Sequence, residues 1–169
     1  GGDYLIDQPP NQTNGLFTDS DCGLCGTGAQ SIADNFVLTA DVTVGIINFW
    51  GGSYPSNTPN VTDDFTVIFH QDSGGLPGAV IATETSVPYM RATTGVVLFG
   101  VDEYFYTLAL NNPVSLGAGT YWIELFNDTT GNTDNFFWEV GDLDATHGIF
   151  DGVFATATPG ASWTALGGS

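Results

Sequence analysis

The stretch DDFTVIFHQDSGGLPG, residues 63–78, decides the fold. Phe65, Val67 and Phe69 alternate with Thr66, Ile68 and His70, the period of two that places successive side chains on opposite faces of a β-strand. Asp72-Ser73-Gly74-Gly75 then supplies residues that tolerate positive φ. Pro77-Gly78 sets a second turn before an apolar stretch resumes at Ala79. A strand, a corner and a returning strand are predicted, and the rest of the chain repeats that grammar.

Outward from this stretch, residues 31–39 and 42–50 read as strands predicted to pair as a hairpin through Ala40-Asp41. Residues 53–62, with two prolines and two asparagines, read as a surface loop. Residues 89–99 and 103–110 follow, the latter ended by Asn111-Asn112-Pro113. Residues 121–126 alternate Tyr121, Ile123 and Leu125 with Trp122, Glu124 and Phe126. Residues 135–140, 148–155 and a short strand around Trp163 complete the set. No sustained 3.6-residue apolar spacing exists, so the expectation is all-β: an antiparallel jelly-roll-like β-sandwich of nine or ten strands. Its domain spans residues 31–169. Residues 1–30 are predicted to form an extended N-terminal arm with a Cys-x-x-Cys turn, in which Tyr4, Leu5 and Ile6 are an apolar cluster. The arm either lies along its own sheet or adds as a strand to a neighbouring molecule.

Charge narrows the partners. Nineteen acidic residues stand against one basic residue, Arg91, for a formal charge of −18. No basic groove exists to displace counterions from phosphates, which excludes nucleic acid, and an anionic membrane surface is disfavoured for the same reason. No apolar run reaches the length of a membrane span. The acids either keep the chain soluble by self-repulsion or bind Ca²⁺ or another hard cation. The candidate ligands are Asp19 and Asp21, Asp63 and Asp64, and Asp142 and Asp144, although none fits the EF-hand pattern.

Cys22 and Cys25 could reach four zinc ligands only with His70 and His147, and their Gly, Asp and Thr flanks do not suit a thioredoxin-like turn. A small-loop disulfide in an exported protein is predicted, its leader removed before Gly1.

For chemistry, Glu124 and Glu139 each adjoin a tryptophan on late strands that could be neighbours, the arrangement a two-carboxylate glycosidase would need. No Ser/His/Asp signature accompanies His70 or His147, and the expectation is no enzyme. Trp50, Tyr54, Trp122 and Trp138 are candidates for a sugar-binding platform, Trp50 and Tyr54 foremost.

Taken together, several motifs resemble a broad group of exported bacterial β-sandwich proteins of the kind that often carries a PEP-CTERM sorting signal. They are Ser31-x-Ala33-Asp34-Asn35-Phe36, Phe49-Trp50-Gly51-Gly52-x-Tyr54, and Asp64-Phe65 with Asp72-x-Gly74-Gly75-x-Pro77-Gly78. Tyr104-x-Tyr106, Leu116-x-Ala118-Gly119-x-Tyr121-Trp122 and Phe137-Trp138 complete the set. The resemblance implies an extracellular or cell-surface location and a jelly-roll-like domain, and brings no catalytic residues with it. The chain departs from the pattern at Gly167-Gly168-Ser169, where no Pro-Glu-Pro motif follows. The function expected is a non-enzymatic extracellular subunit that assembles with copies of itself, as a fibre or surface layer, through its arm. The alternative is a secreted module that binds polysaccharide or calcium.

Overall fold

Alternating apolar residues become two stacked sheets in the computed structural model, which describes residues 10–141 and 152–166. The strands are β1 (Pro10–Phe17), β2 (Asp19–Cys22), β3 (Gly28–Leu38), β4 (Val42–Tyr54), β5 (Phe65–Asp72) and β6 (Pro77–Glu84). They continue with β7 (Tyr89–Leu98), β8 (Val101–Leu116), β9 (Gly119–Asn127), β10 (Asn135–Gly141), β11 (Val153–Ala155) and β12 (Thr164–Ala165). A five-stranded sheet runs β1-β10-β4-β8-β7. A seven-stranded sheet runs β12-β11-β3-β2-β9-β5-β6, with β3 and β9 also paired directly. The all-β sandwich expected from the alternation is therefore present. Its neighbours are antiparallel except β2 and β9, which run parallel.

The core between the sheets is aromatic. Phe49 of β4 stacks on Tyr106 of β8 with ring centroids 5.0 Å apart, and Phe65 of β5 meets Phe136 of β10 edge-on at 5.2 Å. Offset and edge-to-face pairs of this kind add about 0.5–1.5 kcal/mol each beyond the area they bury. A smaller core of Ala33, Trp122 and Val153, with Trp163 against it, lies on the other side of the seven-stranded sheet.

Two expectations are corrected. The predicted hairpin of residues 31–39 with 42–50 does not form. β3 pairs with β9 and β11 while β4 pairs with β8 and β10, so Ala40-Asp41 carries the chain from one sheet to the other. Asn111-Asn112-Pro113 does not end its strand: β8 continues to Leu116 through a register shift opposite Val44 and Ile46, the bulge that lets a sheet absorb a proline. Glu84 accepts hydrogen bonds there from the Asn111 and Asn112 amides.

Of the two placements open to the arm, its described part takes the first, along the chain's own sheets. Residues 10–30, which the sequence places in it, form β1, β2 and the start of β3, two of them strands beyond the nine or ten expected. Tyr4, Leu5 and Ile6 lie outside the described residues. Thr18 marks the crossing between sheets. Its amide donates to the Phe136 carbonyl at 3.1 Å and its carbonyl accepts from Asn127 at 3.1 Å. Its hydroxyl bonds Leu125 and receives the Ile32 amide. β3 and β9 splay beyond Ile32 and Leu125, and Asp19 enters the gap between Gln30 and Asn127.

Asp19 is fully buried and its carboxylate accepts from the amides of Asp21, Thr129 and Phe136 and from the Thr129 hydroxyl. Replacing it strands those donors, each costing about 1–3 kcal/mol when buried. Asp19→Ala should therefore lower the unfolding free energy in urea by about 3 kcal/mol or more. Asp21→Ala, at an exposed position, should change it by less than about 0.5 kcal/mol. Equal effects would show that the Asp19 network does not hold the crossing.

Candidate functional site on the outer face of the five-stranded sheet

The outward face of an antiparallel sheet is ordinarily polar. Here β4 turns Phe49 inward and Trp50, Gly52 and Tyr54 outward. β8 turns Tyr106 and Leu108 inward and Glu103 and Phe105 outward, and β10 buries Phe136 and presents Phe137 and Glu139. Outside the core, Trp50 packs on Phe105 at 5.0 Å, Phe17 on Tyr54 at 6.2 Å and Phe99 on Phe137 at 5.9 Å. On the edge strand β7, Met90 and Val97 are 71% and 62% exposed. Trp50 and Tyr54 thus share a face, as the sugar-platform reading requires. Trp122 lies in the smaller core and Trp138 packs against the main one, so neither belongs to that platform.

Two glycines shape the face. A Cβ on Gly15 or Gly52 would come within 2.6 Å of the Phe137 ring, so that ring lies over both backbones only because they lack side chains. Beside it sit two carboxyls. Glu103 is 1% exposed, with oxygens that accept from the Thr94 hydroxyl at 2.6 Å and the Gln12 amide at 3.4 Å. Glu139 is 6% exposed, and neither of its oxygens has a donor. Its carboxyl lies within hydrogen-bonding reach of Glu103, so a contact between two acceptors closes only when a proton is shared. Burial, then that shared bond and the Glu103 charge, push Glu139 up to about 8. Gln12 reaches the pair because β1 slips register between Pro10 and Gly15. Four residues, 11–14, stand against one on β10, with Gln12 at φ 58°.

The pairing expected of Glu124 and Glu139 does not exist, because β9 and β10 belong to different sheets. Glu124 is buried on the outer side of the seven-stranded sheet. There it accepts from the Ser31 hydroxyl at 2.7 Å, the Gly160 amide at 2.6 Å and His70 Nε2 at 2.7 Å. The other nitrogen of His70, Nδ1, donates to the Gly78 carbonyl at 3.0 Å. Both ring nitrogens face acceptors, so His70 is an imidazolium. Burial pulls its pKa down, but the bonds to Glu124 and Gly78 and the Glu124 charge outweigh that and leave it raised above 6.5. Ser31 donates to the carboxylate and not to the imidazole, so this Ser, Glu and His cluster does not activate a nucleophile.

The proposed cation ligands are scattered. Asp19 serves the crossing described above. Asp63 is held by Arg91 at 2.6 Å and by the Asn127 amide at 2.9 Å, and burial nonetheless raises it above 3.8. Asp64, exposed, accepts from Ser86, and Asp21 is exposed. Asp142, Asp144 and His147 lie outside the described residues. Among those described, no three His, Cys, Asp or Glu side chains converge to hold a metal ion, and no helix is long and apolar enough to cross a membrane. Cys22 and Cys25 are joined as a disulfide, as predicted, and Asn135 holds their loop through the Leu24 amide and the Asp21 carbonyl. Glu103 was missed: alternation marks it as outward but does not say that it meets Glu139 across β4.

A raised histidine contributes stability that is complete below its unfolded pKa and is lost as pH rises through the folded one. A raised carboxyl acts with the same sign, eroding stability from 4.5 to about 8. The unfolding free energy should fall as pH climbs through neutrality. His70→Gln and Glu139→Gln should each flatten part of that slope, and the double variant nearly all of it. A slope unchanged in both single variants would contradict the assigned protonation states. No family model, curated protein or solved structure matches the chain.

Proposed function

We propose that the chain is a non-enzymatic, extracellular structural subunit that associates with copies of itself. The observation that carries this reading is the apolar outer face of the five-stranded sheet, continuous with β7. β7 is ten residues long and, among the described strands, is paired along one side only. Exposed apolar faces and free edges of this kind mark contact surfaces, since a second chain can pair with the edge and cover the rings. The Cys22–Cys25 disulfide and the resemblance to exported β-sandwich proteins support an extracellular setting. Tyr4, Leu5 and Ile6 are the proposed plug that the adjoining copy receives. A head-to-tail contact of that type propagates when its rotation does not close.

A charge of −18 opposes association, and salt weakens that opposition because the Debye length shrinks to about 8 Å at 0.15 M. Sedimentation velocity and negative-stain imaging should find multimers that grow with protein concentration and with ionic strength. Met90→Glu should reduce them to monomers without altering the melting temperature, and removal of residues 1–9 should do the same. A wild-type chain that stays monomeric at every concentration and salt would refute the proposal.

The half-buried Trp50–Phe105 ring pair supports a second reading, a polysaccharide-binding face. It requires glycan-array binding that is lost in Trp50→Ala.

A further inference from the structure

On the outer face of the five-stranded sheet Glu103 and Glu139 are buried with no described cation beside them. The chain has one Arg, which donates to Asp63 and to the Asn60 carbonyl, and no Lys. His70 is committed to Glu124. Glu103 and Glu139 nonetheless meet in a place where 1% and 6% of their surfaces reach solvent. Both Glu139 oxygens lack any donor. A buried carboxylate without a neutralising partner costs several kcal/mol, so the metal-free pair keeps a proton, and a cation can take that proton's place.

The donor set defines which charge fits. Four carboxylate oxygens come from Glu103 and Glu139, a hydroxyl from Thr94 and an amide oxygen from Gln12 once its side chain is turned about. No sulfur or imidazole is among them. An all-oxygen set with two acids suits a hard divalent ion, with water completing the six to eight ligands that calcium takes, and suits zinc or copper poorly. The bulge of β1 brings Gln12 onto Glu103, and the absence of a side chain at Gly52 leaves its place to the Phe137 ring. We propose that Glu103 and Glu139, flanked by Thr94 and Gln12, bind one calcium-like divalent cation on the outer face of the five-stranded sheet. The site is distinct from the acidic loops in which Asp19 and Asp63 serve internal hydrogen bonds, and it does not depend on self-association. The ion ties β1, β8 and β10 together, so that binding stiffens the aromatic face without contributing to the core.

The test uses the full chain stripped with a chelator and then titrated with CaCl2, followed calorimetrically and by thermal melting. Terbium luminescence excited through tryptophan reports occupancy directly. One ion per chain should raise the melting temperature by several degrees and sensitise terbium, and excess calcium should quench that signal. Glu139→Gln and Glu103→Gln should each abolish both responses, while Asp21→Asn and Asp64→Asn should keep them. In the metal-free state Glu139→Gln should melt at or above the wild-type temperature, because it removes an unpaired buried acid and leaves the fold intact. If calcium leaves the wild-type melt unchanged, the pair holds a proton only and the site is refuted. A calcium response retained in both glutamine variants places the ion elsewhere and refutes it equally.

Discussion

Neutralising buried acid is the constraint on which the structure depends. Nineteen carboxylates and one arginine cannot be matched by ion pairs, so each acid that enters the interior must find another source of positive potential. Asp63 takes the single arginine. Glu124 takes an imidazolium, a hydroxyl and a backbone amide. Asp19 and Asp134 take backbone N–H groups: Asp134 accepts from Ser56 and Thr58, with Thr58 at 2.7 Å. Carboxylates satisfied by backbone donors need amides that a turn or a strand end leaves free, even when those amides come from distant parts of the chain. That is why Asp19 and Asp134 sit where the chain changes sheets or closes a loop.

The same logic ties the ends of the chain to its middle. β1 and β2 are short and polar and have little apolar surface with which to dock. They are fastened by Thr18 between Leu125, Asn127 and Phe136, and by Asp19 against Thr129. The segment that includes β11 and β12 is likewise held by the Gly160 amide on Glu124 and by Trp163 edge-on to His70 at 6.1 Å. One imidazolium and carboxylate pair therefore joins β5 and β9 to the later part of the chain. Breaking either partner would leave the other charged and buried, a loss of about 3–5 kcal/mol.

How much of this was legible in the sequence follows from what alternation encodes. A period of two states which residues share a face: it grouped Phe65, Val67 and Phe69, and it separated Tyr121, Ile123 and Leu125 from Trp122, Glu124 and Phe126. The glycine and proline turn after Asp72 was equally readable, because glycine admits positive φ and proline fixes its own, and the Cys22–Cys25 bond followed once a zinc site and a redox turn were set aside. Pairing partners are another matter. Which strand lies beside which depends on contacts far apart in the chain, so β3 and β4 could look like a hairpin while belonging to different sheets. Glu124 and Glu139 could look like neighbours for the same reason. Pro113 looked like a strand end because its lost donor was visible and the bulge that accommodates it was not.

The outer face of the five-stranded sheet brings the two themes together. Its rings are where a lone antiparallel sheet would carry polar groups, and its acids are buried where a solvated face would expose them. A two-carboxylate glycosidase holds its acids about 5–10 Å apart, with room between them for a glycosidic oxygen or a water. Glu103 and Glu139 instead interact with each other, and Gln12 from the bulge of β1 donates to Glu103. Two carboxyls that raise each other's affinity for a proton in this way are bridged by a proton or a small cation. The proposed ion would fasten this face, and a ring-bearing sheet whose β7 edge is unpaired among the described strands suits the proposed contact between copies.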